Sequence, residues 1–169
     1  GHPLTGDVTI SGNKNAALPV IAAAMLTSEP VTIKNVPHIG DIETILQIIT
    51  DLGATYHWVD HNTLRIQAKQ LGKTALDPEL CQRIRASILL AGPLLARYGE
   101  TEFYPPGGDV IGRRRLDTHF LAFEALGAEV TYNRYFHLRS NGLHGSDILL
   151  DEASVTATEN GVMAAVLAQ

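Results

Sequence analysis

The sequence is poor in cysteine and in charge, and it lacks long hydrophobic runs. A single cysteine, Cys81, stands among 169 residues, so no internal disulfide can form and a reducing, cytoplasmic setting is expected. Only 18% of the residues are charged against 45% apolar, a balance that excludes intrinsic disorder. Basic residues are the minority, 13 against 18 acidic, giving a formal net charge of −5. That argues against nucleic acid as a partner, which calls for a basic surface to displace counterions. The longest uncharged, mostly apolar runs, Ala16 to Leu26 and Ile88 to Ala96, are shorter than the ~20 residues that span a bilayer, so no membrane association is expected. Neither run follows a cationic leader. Histidines are scattered, and His57 and His61 fall in an expected strand and turn where their spacing does not converge on a metal.

What is present is a regular alternation of elements. Gly6 to Ser11 alternates polar and apolar residues as a half-buried strand does, and a helix is expected from Asn13 to about Ser28. Pro30 to Val36 is β-branched and reads as a strand. Ile42, Ile45, Leu46, Ile48, Ile49 and Leu52 have helical spacing, with Gly53 as the stop. Ala54 to Asp60 and Thr63 to Gln67 form an expected hairpin. The same order then recurs: a helix over Pro78 to Arg97, a strand over Thr101 to Pro105, a helix over Leu116 to Leu126, and strands over Ala128 to Asn133 and Phe136 to Ser140.

The recurrence is written in residues too. Leu52-Gly53-Ala54 reappears as Leu126-Gly127-Ala128, each time between an amphipathic helix and a strand. A third round starts near Ser154, with a helix expected over Asn160 to Gln169. Such a period exceeds that of solenoid repeats and points to a repeated α/β unit inside one closed domain. The opening Gly1-His2 lacks a methionine and the last helix has no glycine or cationic stop, so the chain is expected to be a fragment. Its unfinished edge should favour self-association.

Two loops carry the candidate chemistry. Ser11-Gly-Asn-Lys-Asn15 falls at a strand-to-helix junction, where backbone amides favour anions and Lys14 adds a mobile charge; equally, Asn13 or Asn15 could simply cap the helix. Pro105-Pro-Gly-Gly-Asp-Val-Ile-Gly-Arg-Arg-Arg115 is a glycine-rich loop ending in three of the chain's nine arginines. Arginine forks bind phosphate and carboxylate bidentately, although Asp109 could neutralise a solvated basic turn. Arg83 and Arg85 border a strongly apolar helix; such charges usually snorkel to water, but Arg85 could face a cleft. Together these features point to an anionic substrate. Neither loop matches a P-loop or a dinucleotide fingerprint, and Ser87 and Ser154 lack a nucleophile elbow.

Ile10-Ser-Gly-Asn-Lys-Asn-Ala-Ala-Leu-Pro19, Arg85-Ala-Ser87 followed by Gly92-Pro-Leu94, Pro106-Gly-Gly-Asp-Val-Ile-Gly112 with Arg114 and Asp117, and Ser154-Val155 occur in one order along the chain. In these motifs the sequence resembles the enolpyruvyl transferase family over almost its whole length, on the side of the members that act on UDP-N-acetylglucosamine. The sister enolpyruvylshikimate-phosphate synthases share the architecture but look different at these loops. The resemblance implies an α/β (α+β) fold, an inside-out α/β barrel domain of repeated βαβαββ units. Here it would be incomplete: repeat one over about 5–70, repeat two over about 77–150, the start of repeat three over 151–169, and the second domain absent.

The resemblance also implies a reaction. The enolpyruvyl group of phosphoenolpyruvate passes to the 3-hydroxyl of UDP-N-acetylglucosamine, the first committed step of peptidoglycan synthesis, and neither metal nor organic cofactor is implied. Lys14 and Arg114 would hold phosphoenolpyruvate, and Asn15 would line the sugar site. Arg85 would reach the nucleotide-sugar, as would Arg114, Arg115, Leu116, Asp117 and Thr118 and the stretch Glu152, Ala153, Ser154, Val155. One position departs from the family's usual pattern. Asp109 stands where a cysteine, the target of the epoxide antibiotic fosfomycin, is usual, so Asp109 is the expected general acid and fosfomycin resistance is expected. The carboxyl must keep its proton, which neighbouring arginines oppose and bound substrate with loop closure favours. The isolated chain is expected to be inactive. The alternative is a non-catalytic nucleotide-sugar-binding or structural remnant of the same fold.

Overall fold

The computed structural model describes residues 1–108 and 115–169; Asp109 and Arg114 lie outside the described residues. After an exposed N-terminal stretch the chain forms α1 (Lys14–Ala23), a 3₁₀ turn over Ala24–Leu26, β1 (Val31–Ile33), α2 (Gly40–Asp51), β2 (Thr55–Trp58) and β3 (Leu64–Gln67). It continues with α3 (Pro78–Arg83), a 3₁₀ segment over Arg85–Leu90, α4 (Ala91–Tyr98) and β4 (Glu100–Phe103). Then come α5 (Asp117–Ala125), β5 (Glu129–Asn133), β6 (Tyr135–Arg139) and α6 (Val155–Ala165).

The two halves share one topology. Strands pair antiparallel in the order β1-β3-β2 and again β4-β6-β5, so the chain has α+β character with two separate three-stranded sheets. The repeated Leu-Gly-Ala shows why the echo exists. Gly53 and Gly127 take positive φ, 109° and 93°, which lets the chain leave the helix in a left-handed turn at no steric cost. Their successors repeat the same closure: the Ala54 amide donates to Ile49 O at 2.9 Å and the Ala128 amide to Phe123 O at 3.0 Å.

The core lies between the helices and the inner sheet faces. In α2, Ile42, Ile45, Leu46, Ile48 and Ile49 are all buried, the stripe that its spacing predicts. In β3, Leu64 and Ile66 are buried while Arg65 faces water, the period of a sheet with one wet face. Helix α6 packs on α4 and α5 and leaves Val155, Val162 and Val166 exposed. Arg97 joins the halves by donating to Met25 O and Thr27 O at 3.0 Å and to Lys69 O at 3.1 Å.

Three expected elements are corrected. Gly6 to Ser11 forms no strand, and Val8 and Ile10 are exposed; alternation alone makes a strand only where an edge is available to pair with. In the second half the corresponding strand is reduced to one parallel bridge, Ala75 to Glu102. The helix expected over Pro78 to Arg97 is broken at Ile84, whose backbone is extended (φ −137°, ψ 141°). Carbonyls freed there are taken by other donors: Ser87 Oγ donates to Ile84 O, and the Gly107 and Gly108 amides donate to Cys81 O and Gln82 O. The last helix spans Val155–Ala165 instead of Asn160 to Gln169, because the Ser154 hydroxyl caps it by accepting from the Ala157 amide. The sheets are open, and the described residues close no barrel.

Candidate functional site

A cleft of about 480 Å³ opens where α1, the α3 end and the α6 start converge. Lys14 and Asn15 enter from α1, Arg83 and Arg85 from the two sides of the Ile84 break, and Val155, Thr156 and Glu159 from α6. Asp41 and Gly108 complete the polar part of its lining. Each residue is aimed there by local structure. Asn13 caps α1 by accepting from the Asn15 amide at 2.7 Å, so Asn15 is released from capping and contributes its side chain to the cleft wall. The break at Ile84 turns Arg85 out of the helical row and into the cleft.

Electrostatically the cleft is a cationic set tempered by two carboxylates. Lys14 Nζ pairs with Asp41 at 2.8 Å, Arg83 donates to Gln47 at 3.1 Å, and Arg85 donates to the Arg115 carbonyl at 3.2 Å. Burial raises the Glu159 carboxyl pKa from its ordinary value. Three cations facing two carboxylates suit an anionic ligand.

The Arg115–Val155 candidates divide into several roles. Arg115 forms an exposed ion pair with Asp117. Leu116 and Thr118 are buried. The Thr118 hydroxyl donates to Asp151 at 2.9 Å, with Glu152 at 3.3 Å from the same oxygen, so the start of α5 is tied to the loop before α6. Ala153 is exposed on that loop, Ser154 is the α6 cap, and Val155 alone of this stretch lines the cleft. The structure therefore gathers Lys14, Asn15, Arg85 and Val155 at one cleft and links Arg115 to it through the Arg85 hydrogen bond.

Sequence reasoning missed Asp41, Thr156 and Glu159, and it placed Arg83 no further than the border of an apolar helix. No local pattern marks them: Asp41 reads as an ordinary acidic first-turn residue of α2, and Thr156 and Glu159 look like a solvated helix face. It also missed the docking of the glycine loop. A Cβ on Gly107 would lie 1.8 Å from Gln82 O, so only glycine lets this loop rest against the end of α3. Cys81 is a buried free thiol whose pKa burial pushes up to about 11, consistent with a packing role. Among the described residues no cluster of His, Cys, Asp and Glu could hold a metal ion, and no helix is long and apolar enough to cross a membrane.

Comparison with known proteins covers the whole chain. The family model for EPSP synthase (3-phosphoshikimate 1-carboxyvinyltransferase) matches residues 1–169. A UDP-N-acetylglucosamine 1-carboxyvinyltransferase of Bradyrhizobium diazoefficiens is 61% identical over 99% of the chain and 39% of its own length. The Treponema denticola protein of the same name is 53% identical over 100% of the chain and 40% of its own length. Among solved structures, the enolpyruvyl transferase NikO from Streptomyces tendae aligns with a TM-score of 0.76 at 26% identity, covering 99% of this chain and 39% of that one. EPSP synthase from Acinetobacter baumannii aligns at 0.72 with 17% identity over 97% of this chain and 38% of that one, a likeness of fold. The chain thus spans about two-fifths of the length of the curated relatives it matches.

Proposed function

The chain belongs to the EPSP synthase (3-phosphoshikimate 1-carboxyvinyltransferase) family, and from that premise we propose that it forms one wall of a site transferring the enolpyruvyl group of phosphoenolpyruvate to the 3-hydroxyl of UDP-N-acetylglucosamine. The observation that carries this reading is the meeting of Lys14 and Arg85, from two different repeats, in one cleft. The names of the 53% and 61% identical relatives supply the acceptor. The product would feed peptidoglycan synthesis.

In the proposed reaction the sugar 3-hydroxyl adds to C2 of phosphoenolpyruvate while C3 takes a proton. The tetrahedral adduct then expels inorganic phosphate and loses the proton gained at C3, restoring the vinyl group on the new ether. Lys14, with Arg114 in support, would bind the phosphate and carboxylate and offset the charge that moves during addition and elimination. Arg85 and the segment from Glu152 to Val155 would orient the nucleotide-sugar. Asp109 would deliver the proton to C3, a role that requires a carboxyl held neutral. Bound phosphoenolpyruvate supplies that bias by like charge, so the acid is competent in the ternary complex.

Catalysis needs every reacting group in one geometry, and the 169-residue chain alone is expected to bind weakly and not to turn over. In a full-length protein carrying this segment, Asp109→Ala should abolish turnover and leave nucleotide-sugar binding intact. Unchanged turnover would remove Asp109 from the mechanism. Treatment with fosfomycin should leave the mass of the chain unaltered, since no thiol stands at position 109; an adduct at Asp109 would contradict this.

A further inference from the structure

Behind the cleft wall lies a buried polar chain that the reaction as described does not use. Asn160 and His119 are almost completely buried, at 0% and 1% exposure. The Asn160 carboxamide is held by backbone on both sides. Its Oδ1 accepts from the Gly92 amide at 2.9 Å, and its Nδ2 donates to Ile88 O at 2.9 Å. A backbone N–H can only donate and a carbonyl can only accept, so the amide cannot be flipped. Its second hydrogen points to His119 Nδ1, 3.0 Å away, which makes Nδ1 an acceptor. The single proton of a neutral imidazole then sits on Nε2, 3.2 Å from Thr156 Oγ1. That threonine oxygen accepts, and its own hydrogen is left to turn elsewhere. Thr156 lines the cleft beside Lys14, Arg85 and Glu159.

We propose that Thr156 is a ligand-positioning residue whose hydroxyl, set by the backbone-locked Asn160–His119 pair, donates into the cleft to an acceptor oxygen of the bound nucleotide-sugar. The inference deepens the enolpyruvyl-transfer reading and rests on it for the ligand. It explains why the pair is buried together. Burial, and after it the Arg85 charge, push the His119 pKa down to about 4, so the imidazole stays neutral and its donor–acceptor sense does not reverse near neutral pH. The pair also ties the α6 wall to the segment that presents Arg85, since Ile88 and Gly92 follow it directly. Gly92 is matched to this arrangement: a Cβ there would lie 2.7 Å from Asn160 O and 2.9 Å from its Oδ1.

The test uses the 169-residue chain, UDP-N-acetylglucosamine and two substitutions that preserve size or hydroxyl. Thr156→Val should weaken binding about tenfold, the loss of roughly one hydrogen bond to a polar ligand. Because it also removes the acceptor of the buried His119 Nε2–H, its melting temperature should fall, and binding is compared at a temperature where both chains are fully folded. Thr156→Ser should bind within about twofold of the parent, a rescue that mere packing would not give. Nitrogen-15 NMR of His119 at pH 7 should show a neutral ring protonated at Nε2. Equal binding by the parent and Thr156→Val overturns the inference alone, as does a His119 proton on Nδ1. Absence of binding by the folded parent overturns the transferase reading together with the hydroxyl's role, and the tautomer signal separates the two failures.

Discussion

Replacing Gly107 by alanine probes the point where the arginine-rich loop is anchored to the fold. An added Cβ would stand 1.8 Å from Gln82 O, 2.5 Å from its carbonyl carbon and 2.8 Å from its Cα. These are backbone atoms at the end of α3, so no side-chain rotation relieves the clash. Ordinary contact between such atoms is ~3.4 Å, so the loop must retreat by about 1.6 Å. The Gly107–Cys81 and Gly108–Gln82 hydrogen bonds, 3.0 and 3.2 Å long, would then pass the limit of bonding. Two lost hydrogen bonds correspond to about 1–3 kcal/mol. Urea denaturation followed by circular dichroism should show the midpoint falling with little change in slope. Gly72→Ala is the control, because nothing lies within 4 Å of a Cβ at that position, and it should stay within about 0.5 kcal/mol of the parent. In a full-length protein Gly107→Ala should also cost turnover, since the loop leads directly into Asp109. A Gly107→Ala chain as stable as the parent would refute the docking.

Three other outcomes follow from wholly or partly buried groups. Arg97→Leu removes donors from three backbone carbonyls, Met25 O, Thr27 O and Lys69 O, and should destabilise the chain by about 2–3 kcal/mol in the same assay; a neutral effect would show that the two halves are held otherwise. The His119 pKa falls from 6.5 to about 4 on folding, so between those values the unfolded chain binds the extra proton. Its contribution to stability is therefore complete above pH 6.5 and is lost as pH falls towards 4, up to about 3 kcal/mol; a His119 NMR titration centred near 6.5 would contradict this. The Cys81 thiol, buried with a pKa of about 11, should resist iodoacetamide at pH 8 until denaturant is added, and rapid native labelling would contradict its burial.

What could be read from the sequence was whatever obeys a local rule. The isoleucine spacing of α2 and the glycine stops at 53 and 127 depend on neighbours a few residues away, and they appear where periodicity puts them. The repeat was visible for the same reason, because Leu-Gly-Ala performs one mechanical task twice. Three features escaped because each is decided at long range. Gly6 to Ser11 has a strand's pattern without a paired edge. The break at Ile84 is set by the Gly107 and Gly108 amides that take the freed carbonyls. Thr156 lines the cleft, and its hydroxyl is bonded from behind by His119, 37 residues away. At the site, the cations Lys14 and Arg85 were legible as motif residues. Their counter-charges Asp41 and Glu159 were not, since a carboxylate on an amphipathic helix looks the same whether it faces a cleft or bulk water.

The central claim, that the cleft shared by Lys14 and Arg85 is a substrate site in which Arg85 holds the nucleotide-sugar, is tested most directly by calorimetric titration of the 169-residue chain with UDP-N-acetylglucosamine, parent against Arg85→Ala. The account predicts weak binding by the parent and a loss of about tenfold or more in the variant, as expected for a charge-assisted hydrogen bond. A well-folded parent that gives no binding heat, or an Arg85→Ala chain that binds as the parent does, would contradict it.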